Sequence, residues 1–289
     1  MGDRTKVLRT LDDLRRVVDG KATPGAVFKV DLADSPLGPS GIRDLAQLLV
    51  RGSGIGINQV SLRGCALGSD GMRTLSTALA RKVGVTSLDV SNNDLLDAGC
   101  EAMANMLIND SAIATLDMSA NGITAKGLII LSTSIKVNEC LRELDLSAND
   151  FGAAGMAVVA QSLSANFIMT SLNVSSNQLG PDGATEVANL LTKNRGLTKL
   201  SLSGNRLGAA GARALGPALA KNSSIERLAL SGNSLGADGV EHIMSALGNN
   251  RSLTRLDLSW NRMRPEGART VAFCLRRSHQ TKVSIYNSY

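Results

Sequence analysis

The sequence predicts an α/β fold, a curved solenoid with a parallel sheet on the concave face and helices on the convex face. Seven asparagines recur every 28 residues: Asn93, Asn121, Asn149, Asn177, Asn205, Asn233 and Asn261. Each follows an apolar-x-apolar triplet such as Leu144-Asp145-Leu146, and each is followed six residues later by a glycine. Self-similarity at a fixed period of this length is typical of a repeat array. We therefore predict one continuous array of about nine units.

Each triplet predicts a short strand and the asparagine predicts the turn after it. Alternation directs the two apolar residues inward and the middle residue to the opposite face. The asparagine amide can hydrogen-bond backbone groups that a loop would otherwise bury unpaired. An earlier turn carries Cys65 in this column, and Val30-Asp31-Leu32 lies 30 residues before Val60-Ser61-Leu62 because of an insertion around Gly52-Ser53-Gly54.

The second half of each unit predicts a helix. The glycine column favours a tight entry into a helix packed close to the strand. Apolar residues four apart, such as Val187 and Leu191, give that helix its buried face. Its end is predicted at polar residues that tolerate the left-handed conformation. These residues are Asp110, Asn138, Asn166, Asn194, Asn222 and Asn250.

Both ends of the array are predicted to be capped. We assign residues 1–26 to an N-terminal capping helix, 27–278 to the repeats and 279–289 to a C-terminal capping strand. A helix over residues 5 to 18 would have one apolar face, formed by Val7, Leu8, Leu11, Leu14 and Val18. Partner binding is the alternative role for this helix, although a solenoid needs a polar-faced cap in any case. Val283-Ser284-Ile285 predicts the final strand, one residue short of the 28-residue register.

The full repeat pattern resembles a known family. L-x-x-L-x-L-x-x-N-x-L-G-x-x-G, as in Leu197 to Gly211 and Ile225 to Gly239, is similar to the leucine-rich repeat of the ribonuclease-inhibitor-like subclass. The resemblance covers residues 27 to 278 and implies a horseshoe that binds protein partners. Ribonuclease inhibitor itself has longer, acidic, cysteine-rich arrays, so inhibition of nucleases is not implied. Short arrays of this kind also occur in axonemal and other cytoskeletal assemblies, which favours an intracellular, cytoplasmic location.

No motif predicts an enzyme, a cofactor, a metal site or a small-molecule substrate. The serines after each strand are a repeated turn residue, whereas a nucleophile needs one serine beside a base. Gly52 to Gly56 lacks the Lys-Ser or Lys-Thr of a phosphate-binding loop. His242 and His279 fall in different repeats, and the four cysteines are scattered, which indicates reduced structural thiols. No run of 18 apolar residues exists, so membrane insertion is not predicted.

Charge changes along the array. Residues 1–84 carry a net charge of +5, residues 85–168 carry −7 and residues 169–289 carry +8, so the overall +6 conceals basic, acidic and basic bands. The outward strand positions predict which of these charges lie on the concave wall. Asp89, Asp117 and Asp145 share one column, with neighbouring strands about 4.8 Å apart. Like charges so placed repel, and the strand pattern gives no reason for them.

These charges, with the single tryptophan, form the predicted partner site. The column two residues before the aspartates contains Glu143, Ser171, Lys199, Arg227 and Arg255. Trp260 and Arg262 follow the next strand end, and tryptophan and arginine are enriched at interface hot spots. We predict that the acidic strip meets a basic surface, while Trp260 with Arg227, Arg255 and Arg262 anchors an acidic or aromatic segment. Solvated surface charge, with Trp260 shielding the last repeat as part of its cap, is the alternative.

Three functions remain open. An interaction module or scaffold subunit is favoured because a curved sheet presents many side chains over a large area. Regulation of an enzyme is the second, because the Ran GTPase-activating proteins share this repeat subclass and size, although this sequence ends basic where theirs is acidic. The third is an RNA-containing particle, since the pI is about 9.3 and the last third is basic. A nucleic-acid groove, however, combines a continuous basic strip with aromatic platforms.

Overall fold

The computed structural model describes residues 5–20, 25–81, 84–109, 112–276 and 281–286, in which strands and helices alternate. The strands are β1 (Lys6–Leu8), β2 (Phe28–Asp31), β3 (Ile57–Ser61), β4 (Ser87–Asp89), β5 (Thr115–Asp117), β6 (Glu143–Asp145), β7 (Ser171–Asn173), β8 (Lys199–Ser201), β9 (Arg227–Ala229), β10 (Arg255–Asp257) and β11 (Lys282–Ser284). The helices are α1 (Leu11–Asp19), α2 (Gly38–Arg51), α3 (Gly68–Leu79), α4 (Leu96–Ile108), α5 (Ala125–Val137), α6 (Gly152–Leu163), α7 (Gly180–Lys193), α8 (Gly208–Lys221), α9 (Gly236–Ala246) and α10 (Arg264–Leu275).

The strands form one open parallel sheet in chain order, from β1 to β11. Their pairing follows the predicted columns, so that Leu116 lies beside Leu144 and Asp117 beside Asp145. The strand leucines and the apolar residues of the helices form a single buried core. Since helices are wider than strands, the array curves with its sheet on the inside. The predicted fold class, a curved solenoid with a concave sheet and convex helices, is confirmed.

The seven asparagines that recur every 28 residues, which we call the asparagine ladder, form the predicted hydrogen bonds. Asn205 is buried, and its Nδ2 donates to the carbonyl oxygens of Val174 and Leu202, both at 2.9 Å. Its Oδ1 accepts a hydrogen bond from the backbone N–H of Asn177 at 2.8 Å. One side chain therefore satisfies backbone groups of two successive repeats, which would otherwise be buried without partners. Cys65 replaces the asparagine in one repeat, and its Sγ donates to the Leu32 carbonyl at 3.0 Å.

The asparagines at the helix ends have a backbone conformation different from the one predicted. Asn138, Asn194 and Asn222 follow helices, but their backbones are extended, with φ between −76° and −69°, so the left-handed helix end is wrong for them. The side chain ends the helix instead. Asn194 Nδ2 donates to the Leu163 carbonyl of the preceding repeat at 2.7 Å, and its Oδ1 accepts from the Leu197 N–H at 2.8 Å. Asp110 lies outside the described residues.

The glycine column packs helix against helix rather than helix against strand. Gly155 is the fourth residue of α6, and a Cβ there would lie 2.9 Å from Leu128 Cδ1 in the preceding helix and 2.4 Å from the Phe151 Cβ. Gly239 of α9 would similarly bring a Cβ to 3.2 Å from the Ala209 Cα of α8. The lack of a side chain therefore allows neighbouring helices to approach closely, which corrects the predicted contact with the strand.

The N-terminal segment differs from the predicted helix over residues 5 to 18. Lys6–Leu8 is a strand that pairs in parallel with β2, and Val7 lies on its exposed side. The helix begins only at Leu11, where the Thr10 side chain accepts a hydrogen bond from the Asp13 N–H. Helical periodicity could not reveal this break because Leu8 and Leu14, both buried, fit either arrangement. A strand therefore covers the edge of β2.

Two further sequence details are confirmed with small shifts. The insertion around Gly52-Ser53-Gly54 lies between α2 and β3, and the pairing of β2 with β3 shifts register between Phe28 and Lys29. The final strand begins one residue earlier than predicted, and Val283 pairs with Leu256, one residue short of 28. The division into residues 1–26, 27–278 and 279–289 stays a prediction.

Candidate interaction surface

Two charged columns lie on the exposed face of the sheet. We call Asp89, Asp117 and Asp145, on β4 to β6, the acidic ladder; they occupy consecutive paired positions. Two residues earlier on each strand, consecutive paired positions on β8 to β11 carry Lys199, Arg227, Arg255 and Lys282, which we call the basic ladder. The sheet therefore places the acidic ladder in one half of its concave wall and the basic ladder in the other.

The acidic ladder has a structural role that the sequence did not indicate. The Asp145 Oδ1 accepts hydrogen bonds from the Ser147 N–H at 2.8 Å and the Ser147 hydroxyl at 2.6 Å, and its Oδ2 accepts from the Asn173 Nδ2 at 2.7 Å. Asp89 bonds Ser91 in the same way. A carboxylate at this position holds the turn that leads to the asparagine, so the prediction that folding gives no reason for these aspartates is wrong.

Asp117 is the member of the acidic ladder whose ionised carboxylate is disfavoured by its surroundings. Burial raises the pKa of its carboxyl above the ordinary value, and the charges of Asp145 and Asp89 on the neighbouring strands add to the rise, while hydrogen bonds from Ser119 oppose it. Asp89 and Asp145 each accept from a side chain on an adjacent strand, Ser61 and Asn173 respectively. The centre of the acidic ladder therefore combines like charges with partial burial, the two causes that most disfavour a carboxylate.

The basic ladder has few partners for its charges. The Lys199 Nζ lies 3.3 Å from the Glu143 Oε1, an ion pair that spans β7. Nearer the N-terminus, Lys29 of the same column pairs with Asp31 at 2.9 Å, which holds the pKa of the Asp31 carboxyl below its ordinary value. Within the described residues, Arg227, Arg255 and Lys282 have no ion pair.

A groove of about 680 Å³ lies along the basic ladder. All four cations line it, together with small side chains in the neighbouring column, among them Ser201 and Ala229. Asp145 lines the groove on β6 and Asp257 lines it on β10. The sequence analysis named Lys199, Arg227 and Arg255 but not Lys282. The predicted shortened spacing pairs Val283 with Leu256 and therefore places Lys282 beside Arg255.

Trp260 and Arg262 do not line this groove. They lie in the turn between β10 and α10, and both have left-handed backbones, with φ of 59° and 53°. In earlier repeats the Trp260 position is occupied by small residues with the same conformation, such as Gly204 and Gly232. A bulky residue with this backbone is uncommon. The Trp260 side chain is 60% exposed, which does not fit a ring that shields the last repeat from water.

The remaining reactive groups of the described residues follow structural positions. Ser91 and Ser147, in the turns after β4 and β6, donate hydrogen bonds to the aspartate two residues earlier. Cys65 and Cys100 are buried free thiols, and burial raises the pKa of Cys100 to about 12, far from that of a reactive thiolate. The described part of the chain has no group of three or more His, Cys, Asp or Glu side chains suited to a metal ion. None of its helices has the length and apolar content to cross a bilayer.

Comparison with known proteins agrees with the repeat geometry. The family described as "Leucine Rich repeat" matches residues 85–104, 137–160, 165–188, 193–216, 221–244 and 249–272. The chain is a leucine-rich repeat protein, and its 28-residue spacing is consistent with the ribonuclease-inhibitor-like subclass. A comparison with curated proteins gives no match.

Solved structures extend the likeness over the whole chain. The leucine-rich repeat-containing protein LegL7 from Legionella pneumophila has a TM-score of 0.63 at 18% identity, covering 98% of this chain and 89% of that one. Actin-binding site 2 of leiomodin-1 gives 0.39 at 20% identity over 56% of this chain and 80% of its own. The tropomodulin C-terminal domain of Caenorhabditis elegans gives 0.43 at 15% identity over 53% and 93%. The first likeness shows the fold alone, and the other two carry no inference about ligands.

Proposed function

We propose that this chain is a non-catalytic protein-interaction module, or a scaffold subunit of a larger assembly such as a cytoskeletal one, and that it binds partners through its concave face. One observation carries the proposal: Arg227, Arg255 and Lys282 line an open groove and have no ion pair among the described residues. Adjacent like charges repel and bring no folding benefit of the kind that the acidic ladder has. Electrostatic complementarity to a partner is a reason to keep them.

Site-specific photocrosslinking in native cells tests this proposal. A photoreactive amino acid replaces Ser171, which lies on β7 and lines the groove, or Thr185, which is exposed on α7 of the same repeat. We expect defined partner chains to crosslink at position 171 and not at position 185. The double substitution Arg227→Glu with Arg255→Glu should remove those crosslinks, because it reverses two adjacent charges of the groove.

A matched variant controls for net charge. Arg213 of α8 and Arg269 of α10 are both exposed, so Arg213→Glu with Arg269→Glu changes the overall charge by the same amount on the convex side. This variant should keep the crosslinks at position 171. Crosslinks that arise only at position 185, or that survive reversal of Arg227 and Arg255, would show that partners bind elsewhere.

A further inference from the structure

We infer that the groove along the basic ladder binds an extended acidic peptide segment with carboxylates at alternate residues. The inference deepens the proposed function and rests on it, since it names the chemistry of the segment that the concave face receives. Lys199, Arg227, Arg255 and Lys282 form an uninterrupted column across β8 to β11, and all four line the groove. Three consecutive members, Arg227, Arg255 and Lys282, have no ion pair in the described structure.

The spacing of the cations fits a peptide in the extended conformation. Four neighbouring strands place the ends of the basic ladder about 14 Å apart, at about 4.8 Å for each step. Side chains on one face of an extended chain repeat about every 6.6 Å, so three alternate residues span about 13 Å. Along the direction of the basic ladder, each carboxylate would then be offset from the nearest cation by no more than about 2 Å. Lysine and arginine side chains are long enough to absorb that difference.

The floor of the groove leaves room for a peptide backbone on three of its four strands. The column beside the cations carries small side chains on β8, β9 and β11, namely Ser201, Ala229 and Ser284. On β10 it carries Asp257, whose Oδ1 accepts a hydrogen bond from the Ser259 N–H at 2.9 Å.

The surrounding charges favour a short segment, and the side chains that line the groove favour a peptide over a nucleic acid. Asp145 lines the groove on β6, and Asp117 and Asp89 continue the acidic ladder beyond it. A polyanion longer than the basic ladder, whether a peptide or a nucleic acid, would therefore meet carboxylates. Single-stranded nucleic acids are held by aromatic platforms, and the described residues that line the groove include no aromatic side chain.

Fluorescence anisotropy with two labelled peptides of identical composition tests the inference. The first is Ser-Glu-Ser-Glu-Ser-Glu-Ser and the second is Ser-Ser-Glu-Glu-Glu-Ser-Ser, both titrated with the full chain at low ionic strength. In an extended conformation the first peptide can direct all three carboxylates towards the groove. The second peptide can direct two carboxylates towards it from one face, or a single carboxylate from the other face. We expect the alternating peptide to bind about threefold more tightly or better, the loss expected for one exposed ion pair. A heptauridylate oligonucleotide serves as the nucleic-acid probe.

Charge reversal identifies where the alternating peptide binds. Arg227→Glu with Arg255→Glu should weaken it by about tenfold or more, because two attractive contacts become repulsive. Arg213→Glu with Arg269→Glu should leave its affinity within about twofold, since those side chains lie on the convex helices. Thermal unfolding of both variants checks that each is folded; if the reversal variant is not, Arg227→Gln with Arg255→Gln replaces it and should still weaken the peptide.

Three results would overturn the inference. They are equal affinity for the two peptides, no binding of either peptide to the wild-type chain, and tighter binding of the oligonucleotide than of the alternating peptide. Each leaves the proposed function intact if reversal of Arg227 and Arg255 still removes the crosslinks at position 171. Failure of both experiments would reject the concave face as the binding surface altogether.

Discussion

The acidic ladder and the basic ladder occupy the same sheet but have different physical origins. Asp89 and Asp145 each accept hydrogen bonds from the serine two residues later and from a side chain of an adjacent strand. Arg227 and Arg255 point from equivalent strands, yet within the described residues they make no ion pair. Charge on a repeat surface is therefore informative about partners only after the charges that the turns require have been recognised.

Asn173 supports this distinction from within the chain. It occupies the strand position after Asp145 in the same column, and its Oδ1 accepts from the Ser175 N–H at 3.1 Å and from the Ser175 hydroxyl at 2.7 Å. An amide thus replaces a carboxylate at this turn without loss of the bond. This column therefore needs a side chain that accepts a hydrogen bond from the turn. Either a neutral amide or a charged carboxylate can do so.

The largest expected stability effect is at Asp145. Asp145→Ala removes an acceptor that serves Ser147 and Asn173, so we expect the free energy of unfolding in urea to fall by about 1–3 kcal/mol. Arg255→Ala should change it by less than about 0.5 kcal/mol, since an exposed side chain without partners contributes little.

Asp145→Asn is the matched control for this prediction. It keeps an acceptor for the Ser147 N–H, as Asn173 does for Ser175, and should lose less than half of what the alanine variant loses. If Asp145→Ala is as stable as the wild-type chain, or if Arg255→Ala is the more destabilised of the two, the assignment of structural and binding roles to the two ladders is wrong.

Trp260 gives a smaller effect that separates an anchor from a cap. Its left-handed backbone costs roughly 1–2 kcal/mol in a non-glycine residue, partly offset by the greater chain entropy of an unfolded glycine. We expect Trp260→Gly to leave the free energy of unfolding unchanged or to raise it by up to about 1 kcal/mol. Gly204 and Gly232 show that the turn accepts glycine at this position.

The sign of the change in the free energy of unfolding on Trp260→Gly distinguishes a capping role for the ring from a partner-binding role. A ring that shields the last repeat would make the substitution destabilising by about 1–3 kcal/mol. A ring that anchors a partner would leave stability intact while crosslinking at a probe in the adjacent turn declines. Urea unfolding and photocrosslinking on the same protein therefore decide the role that the sequence left open.

Much of the fold could be predicted because the same strand, turn and helix pattern recurs in each repeat. The asparagine ladder gave the strands, turns and their register, and the pairing of Leu116 with Leu144 confirms it. One error lies where the chain departs from the repeat. Lys6–Leu8 forms a strand whose edge position depends on β2, and no local pattern distinguishes it from the start of the predicted helix.

The candidate site could be predicted only in part, for a related reason. Lys199, Arg227 and Arg255 fall in one column of the repeat, whereas Lys282 enters through a strand with a shortened spacing. The bond between Asp145 and Ser147 was equally hidden, although an acidic residue two positions before a recurring serine is a signal that could have revealed it. Exposure of the Trp260 ring depends on the turn conformation, which the sequence did not specify.

The most delicate comparison lies within one column, between Asp117 and Asp31. Burial and the neighbouring aspartates raise the pKa of Asp117, so its stabilising contribution is full below the unfolded value, about 3.9, and is lost as the pH rises through the folded value. Lys29 lowers the pKa of Asp31, so that contribution is present above the unfolded value and lost as the pH falls. We therefore expect Asp117→Asn to raise the free energy of unfolding more at pH 7 than at pH 3, and Asp31→Asn to lower it more at pH 7. Urea unfolding of both variants at the two pH values measures this, and shifts of the same sign would contradict the opposing electrostatics assigned to the two aspartates.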